Sequence, residues 1–151
     1  MPKIEVSAIP RREGAAGYPP PYDKPCRARA RRALGDAAGL SQFGVNLLHL
    51  PPNAWSSQRH WHTHEDEFIW VVEGQVVLVT DAGEEVLQTG DCAGFPAGGA
   101  SGHHLQNRSD HPAVVLEIGS RYPETDTTEY PDIDLRWTPT GATRKDGTPC
   151  T

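Results

Sequence analysis

Apolar residues recur at short, even intervals through the middle of the chain. Several segments alternate apolar and polar positions with a period of two, the pattern of a strand with one buried face. These segments follow one another as CRARARRAL, QFGVNLLHL, SSQRHWH, EFIWVVEG, VVLVT, EEVLQ, CAGFP, HHLQN and AVVLEIG. No stretch keeps helical periodicity for three turns. The pattern therefore predicts an all-β domain, either a sandwich or a closed barrel.

The two ends of the chain differ from this middle part. Residues 1–25 include three consecutive prolines at 19–21, and we expect an extended arm there. Residues 123–151 are rich in Pro, Thr, Asp and Gly and are predicted to be an irregular C-terminal extension. The β-domain is expected to span residues 26–122.

Composition narrows the class of protein. A chain of 151 residues with 15 glycines and 14 prolines fits one domain of short strands better than a helix bundle. The three cysteines form no C-x-x-C pair, which argues against both a disulfide framework and a thiolate zinc site. We find neither a signal peptide nor an apolar run long enough for a membrane span. A cytoplasmic location is the simplest expectation.

Charge is distributed unevenly, although the net charge is only −6. Residues 1–32 carry eight basic side chains against three acidic ones, so the rest of the chain is strongly acidic. That balance argues against a nucleic-acid partner. The basic run RARARR alternates arginine with alanine, which predicts an edge strand with its arginines on the solvent face. A nucleic-acid patch is the less favoured interpretation of the same run.

Histidines cluster in two short segments of the chain. In a strand, His60 and His62 project from one face, and Glu67 follows after a short turn at the start of the next strand. One hairpin would thus supply two imidazoles and a carboxylate, with His103 or His104 as the fourth ligand. Histidines on a strand face often bind nothing. A set of three nitrogens and one oxygen, however, suits one divalent first-row metal such as Mn, Fe, Co, Ni or Zn.

Two motifs resemble the signatures of the cupin superfamily. HWHTHEDEFIWVVEG is similar to the first signature, with the matching positions at His60, His62, Glu67 and Gly74. GDCAGFPAGGASGHHLQN is similar to the second, with Gly90, Pro96, Gly98, His103 and Asn107. The resemblance covers about residues 40–120. It implies a cupin-type antiparallel double-stranded β-helix, or jelly-roll barrel, with a metal inside one mouth, held by His60, His62, Glu67 and His103.

The chain departs from the family pattern at two points. Ala54 stands where a glycine usually precedes the histidine pair, which affects only a turn. The gap before His103 is four residues instead of two, so His104 remains an alternative ligand. The spacing to Asn107 favours His103, and so does the face that His103 shares with the apolar Leu105. His104 is then expected to face outward.

The first motif also allows a second register. His62 and His64 could form the histidine pair, but the gap to Glu67 would then be shorter than the family gap. His64 is therefore predicted to be a pocket residue, and it is our candidate for proton transfer. Gln58 shares the face of His60 and is a candidate pocket residue. Glu117 is either a buried acid or an exposed edge carboxylate.

The sequence predicts the metal ligands more specifically than the function of the protein. The favoured hypothesis is a mononuclear metalloenzyme that acts on a small oxygen-rich molecule as a dioxygenase, an isomerase or a lyase. The alternative is a non-catalytic module that binds a sugar or an organic acid, because cupins host both roles. We also expect a homodimer in which the arm, residues 1–25, crosses the partner subunit, with no nucleic-acid or membrane partner.

Overall fold

A computed structural model describes residues 2–150, and strands dominate them. The strands are β1 (Arg12–Glu13), β2 (Ala30–Ala33), β3 (Phe43–Leu50), β4 (Trp61–His62), β5 (Glu67–Glu73), β6 (Gln75–Thr80), β7 (Gly83–Gln88), β8 (Cys92–Phe95), β9 (His103–Gln106), β10 (Ala113–Ser120), β11 (Thr128–Glu129), β12 (Arg136–Thr138) and β13 (Gly141–Thr143). The helical elements are α1 (Leu34–Ala37) and two 3-10 turns, Val6–Ala8 and Lys24–Cys26. None of the helices described is long and apolar enough to cross a membrane.

Three antiparallel sheets build the fold. The largest has the order β1-β2-β3-β10-β5-β8, the second β7-β6-β9, and the third β13-β12-β11-β4. The main core lies between the first two sheets, with Leu48, Val71 and Val115 from one and Val76 and Leu105 from the other. The fold is therefore an all-β jelly roll of the cupin type, which confirms the predicted fold class.

The inward face of β10 changes from apolar to polar along its length. Ala113 and Val115 are fully buried in the core. Two and four residues further on, the same face carries Glu117 and Gly119, which line an open cavity. Gly119 pairs with Glu67 at the start of β5. One end of the jelly roll is thus filled by side chains, and the other end holds the candidate site.

The C-terminal extension is more regular than the sequence predicted. It contains β11, β12 and β13, and β11 pairs with β4 so that Thr128 lies opposite His62. Strand formation here depends on that long-range edge, which local composition does not reveal. The arm also packs against its own chain, because Ala15 and Tyr18 share a second core with Tyr130 and Leu135. The crossing of the arm to a partner subunit stays a prediction.

Some segments predicted as strands are shorter than expected. RARARR forms a strand only from Ala30, and α1 ends it. Residues 56–60 remain irregular and reach β9 through an isolated bridge between His60 and His103. Trp70 lies on the outer face of β5 and is 46% exposed. Cys92 is exposed on the edge strand β8.

Two motif residues have structural explanations. Gly74 has a φ of +82°, and a Cβ there would lie 2.7 Å from the carbonyl oxygen of Pro112. Any side chain would therefore clash and strain the turn between β5 and β6. Asn107 is fully buried and donates to the carbonyls of Leu50 and His111 at 2.8 Å. Its role is to close the loop between β9 and β10.

Candidate metal centre

A cavity of about 430 Å³ opens at the polar end of the jelly roll. Its walls come from the inward faces of β3, β5 and β10, from the arm at Tyr18, and from the C-terminal extension at Thr128 and Tyr130. The candidate ligands His60, His62, Glu67 and His103 all line it. The long arm and extension therefore complete a site whose floor belongs to the jelly roll.

The three candidate histidine ligands converge on the carboxylate of the fourth, Glu67. His60 Nε2 lies 3.2 Å from Glu67 Oε1, and His103 Nε2 lies 2.9 Å from Glu67 Oε2. His62 Nε2 also contacts Glu67 Oε1. Ligand atoms of His60, His62 and Glu67 all lie within 4.8 Å of one another. The structure thus brings together the four residues that the sequence singled out.

The partners of the histidine Nδ1 atoms show which nitrogens are free to ligate. His60 Nδ1 lies 2.8 Å from the carbonyl oxygen of Gln58, and His62 Nδ1 lies 2.7 Å from a carboxylate oxygen of Asp126. Both acceptors require a proton on Nδ1, so each Nε2 of a neutral ring presents a lone pair to Glu67. Each Nε2 atom faces the Glu67 carboxylate, so the contact requires either a proton on Nε2, as in an imidazolium ring, or a metal ion beside it. The donor set of three nitrogens and one oxygen fits a divalent transition metal.

Burial and neighbouring charges shift the pKa values of the clustered side chains. Burial raises the pKa of the Glu67 carboxyl, but hydrogen bonds from His103, His60 and His62 outweigh it and hold that pKa well below its usual value. Burial lowers the pKa of His62, yet the carboxylates of Glu67 and Asp126 together raise it to about 9. Burial keeps the pKa of His103 below its ordinary value, which favours the neutral ring. Metals bind the ionised carboxylate and the neutral imidazole, so a metal that binds here displaces the proton that His62 carries at neutral pH.

Asp126 is a site residue that sequence reasoning missed. Its side chain is only 8% exposed, and besides His62 it accepts hydrogen bonds from the backbone N–H groups of His64 and Glu65. A carboxylate that holds the far nitrogen of a ligating histidine fixes the orientation and tautomer of the ring. Asp126 lies in a segment predicted to be irregular, so no local signal pointed to it.

Two predicted pocket residues, His64 and Gln58, and the alternative ligand His104 lie elsewhere. His64 is exposed and hydrogen-bonds to Thr63, because β4 ends at His62 and alternation stops there. His104 is 5% exposed rather than outward-facing, with Nδ1 donating to the Ser57 carbonyl at 2.8 Å. Gln58 is buried, and its side chain donates to the Tyr22 carbonyl instead of lining the cavity. Of these three, none contributes a side chain to the cavity wall.

The predicted solvent face of the arginine run is wrong for two of its members. Arg29 and Arg31 line the cavity. Arg31 forms a two-pronged ion pair with Glu117, with Nε 2.6 Å from Oε1 and Nη2 3.1 Å from Oε2. The inner face of β2 lies at the polar end of the jelly roll, where a buried arginine can form an ion pair. Glu117 is accordingly a half-buried, paired acid.

Two tyrosines also line the cavity. Tyr18 and Tyr130 are both buried, and their rings meet edge to face with centroids 5.7 Å apart. Burial raises the pKa of both phenols, so both stay protonated at neutral pH. The Tyr130 ring also lies beside His60, at a centroid distance of 5.8 Å. The cavity therefore combines neutral donors with charged ones.

Known proteins share this architecture. The cupin-domain family model matches residues 46–119, whereas no curated protein matches the chain. A crystal structure from Silicibacter pomeroyi, described as a sugar phosphate isomerase from a cupin superfamily, is 48% identical over 99% of this chain and 97% of its own, with a TM-score of 0.92. A candidate sugar phosphate isomerase from Acidithiobacillus ferrooxidans is 30% identical over 77% of this chain and 74% of its own, with a TM-score of 0.71.

A more distant structure shows the same fold alone. The polyketide cyclase of Streptomyces resistomycificus is 20% identical over 80% of this chain and 79% of its own, with a TM-score of 0.60. The extent of the similarity to the Silicibacter structure goes well beyond the two short motifs, because it includes the arm and the C-terminal extension. This chain belongs to the cupin superfamily.

Proposed function

We propose that this protein is a metal-dependent isomerase of phosphorylated sugars. One observation carries the proposal: a single cavity contains both the three-histidine, one-carboxylate cluster and the arginines Arg29 and Arg31. The first group suits a metal that binds sugar oxygens, and the second suits an anion. The description of the Silicibacter relative as a sugar phosphate isomerase supports the same substrate class.

Isomerisation of an aldose to a ketose moves one proton between neighbouring carbons and a second proton between the oxygens that those carbons carry. A divalent metal held by His60, His62, Glu67 and His103 would polarise the carbonyl oxygen and acidify the neighbouring C–H group. The protein must then supply a group that accepts the proton from one carbon and returns it to the next. Asp126 keeps the His62 ring in the orientation that ligation needs.

Glu65 is the proton carrier that the cavity favours. Apart from Glu67, the carboxylates that line the cavity are Glu65 and Glu117. Glu117 uses both of its oxygens on Arg31. Glu65 uses Oε2 to accept the backbone N–H of Tyr122 at 2.7 Å. Its other oxygen, Oε1, lies 3.7 Å from His62 Nδ1, too far for a hydrogen bond, and can take up a proton.

Proton exchange with solvent tests the proposal directly. Metal-loaded protein is incubated in D₂O with a panel of aldose and ketose phosphates, and NMR follows deuterium at the carbon next to the carbonyl. We expect interconversion with deuterium incorporation for at least one pair. Glu65→Gln should slow it about 100-fold or more with the metal content unchanged, whereas Glu124→Gln, an exposed carboxylate in the next loop, should not.

The contrary results are also clear. Absence of both interconversion and exchange with every sugar phosphate would contradict the isomerase proposal. Metal-dependent binding of a sugar phosphate without any interconversion would instead identify a non-catalytic binding module. Full activity of Glu65→Gln would leave the isomerase in place and remove Glu65 from the mechanism.

A further inference from the structure

Two guanidinium groups meet at one backbone carbonyl in the cavity. Arg29 Nη1 donates to the carbonyl oxygen of Ser56 at 2.7 Å, and Arg31 Nη2 donates to the same atom at 2.9 Å. Two like charges are thus held side by side, and guanidinium groups do not lose their protons in proteins. Such an arrangement is unfavourable unless negative charge compensates it.

The compensation within the protein is incomplete. Glu117 neutralises Arg31 through two hydrogen bonds. Arg29 has no carboxylate partner among residues 2–150, since its other bond runs from Nε to the carbonyl of Gly14 at 3.1 Å. The Tyr18 ring centroid lies 5.4 Å from Arg29 Cζ and offers only a weak cation–π contact. One positive charge in the pair therefore remains without a counter-charge.

The unused donors of the two arginines are open to the cavity. Arg29 Nη2 and Arg31 Nη1 donate to no acceptor in the part of the chain that the structure describes. Neither atom is among the fully buried polar atoms that lack a hydrogen-bond partner, so both are accessible. Both side chains line the cavity. Two neighbouring guanidinium groups with free N–H donors match the oxygens of a phosphate group.

The strand register sets the distance from the arginines to the metal cluster. Glu117, which holds Arg31, pairs with Ile69, and Gly119 pairs with Glu67. Glu117 and Glu67 are therefore diagonal neighbours on the inward face of β10 and β5, roughly 7–8 Å apart at the backbone. A small phosphosugar is long enough to place its carbonyl end at the cluster and its phosphate at the arginines.

We infer that Arg29, with the free Nη1 of Arg31, forms an anion subsite that binds the phosphate of the substrate. Glu117 holds Arg31 in place, and Arg29 supplies the uncompensated charge. The identity of the anion rests on the proposed function, whereas the existence of the subsite rests on the contacts above. Arg29 is in this way a specificity-determining residue that favours phosphorylated over neutral sugars.

Binding of inorganic phosphate tests the subsite without any substrate. Calorimetric titrations compare wild type, Arg29→Gln, Arg29→Lys and the control Arg27→Gln, whose arginine is exposed and paired with Asp23. Each protein is titrated both metal-loaded and after removal of metal by a chelator, which separates phosphate at the arginines from phosphate at the metal. Acetate replaces phosphate in a parallel series.

We expect metal-free wild type to bind phosphate, with about tenfold or greater loss in Arg29→Gln and no change in Arg27→Gln. Arg29→Lys, which keeps the charge in this partly buried place but lacks the planar fork, should lose several-fold and decides the matter if Arg29→Gln does not fold. Acetate should bind more weakly than phosphate.

Several results would overturn the inference. They are phosphate binding that survives Arg29→Gln, binding that occurs only with metal, binding of acetate as strong as that of phosphate, and equal turnover of neutral and phosphorylated sugars. Arg29-dependent phosphate binding in a protein without isomerase activity would keep the subsite and reject the proposed function. Isomerase activity on sugar phosphates that is unchanged in Arg29→Gln would keep the proposed function and reject the subsite.

Discussion

His62 and Asp126 are hydrogen-bonded across 64 residues of chain, with His62 Nδ1 2.7 Å from Asp126 Oδ2. Replacing this carboxylate by an amide removes the charge that fixes the ring tautomer. We expect Asp126→Asn to weaken metal affinity about 10- to 100-fold, as loss of such partners does in other metal sites. Competition with a chromogenic chelator measures it, with the exposed Asp110→Asn as control. Unchanged affinity would mean that Asp126 does not position His62.

The ligands themselves give the most direct test. His62→Ala and Glu67→Ala should abolish stoichiometric metal, because each removes a converging donor atom. His49→Ala and His111→Ala should leave the metal in place, since neither side chain lines the cavity. Mass spectrometry of protein purified without added metal decides the question. Full metal content in both ligand variants would reject the cluster as the metal site.

The neighbouring histidines His103 and His104 should behave differently. His103→Ala is expected to lose metal affinity strongly, because His103 Nε2 reaches Glu67. His104→Ala should retain metal but lower the free energy of unfolding by about 1–3 kcal/mol, since its ring is buried against Trp55 and bonded to the Ser57 carbonyl. Metal affinity and urea unfolding are measured side by side. Metal loss in His104→Ala alone would show that the roles are reversed.

The pH dependence of the metal-free protein follows from His62. Its pKa is raised from 6.5 to about 9, with burial opposing the carboxylates that raise it. The stabilisation is therefore fully present below about pH 6.5 and is lost as pH rises through about 9, by on the order of 3 kcal/mol at most. Metal-free wild type should melt lower at pH 9.5 than at pH 6.5, and His62→Gln should show a smaller difference. Equal pH dependence of the two proteins would contradict this role.

A homodimer remains our expectation, and the outer face of the large sheet is its candidate interface. Phe68, Trp70 and Val72 project from that face and are 38%, 46% and 46% exposed. Trp70→Glu should dissociate the dimer, because a charge in a two-fold interface meets its own copy. Val86→Glu, at a more exposed position on β7, should not. Light scattering at micromolar concentration measures the oligomeric state of both variants. A monomeric wild type would contradict the homodimer prediction.

The sequence predicted the jelly roll and the candidate cluster because their signals are local. His60, His62 and Glu67 lie within one hairpin, where strand alternation and turn length determine which atoms can meet. His103 required the family spacing in addition, because β9 comes from a distant part of the chain. The structure brings these four residues together as that combination predicted.

The remaining site residues could not be predicted for a physical reason. Alternation of Arg29 and Arg31 with alanine identifies two faces of a strand but not which one is inside, and Ala30 on the other face is also buried. Asp126 depends on the pairing of β11 with β4, which no periodicity reveals. His64 was misplaced because alternation was extended past the last residue of β4.

The pairing of β4 with β11 also determines when the centre can form during protein synthesis. A ribosome adds His62 long before Thr128, the residue that lies opposite it in the sheet. A nascent chain that has completed both cupin motifs carries all four candidate ligands but still lacks Asp126 and the Tyr130 wall. A premature stop just after residue 122 would leave every histidine of the cluster intact and the centre incomplete.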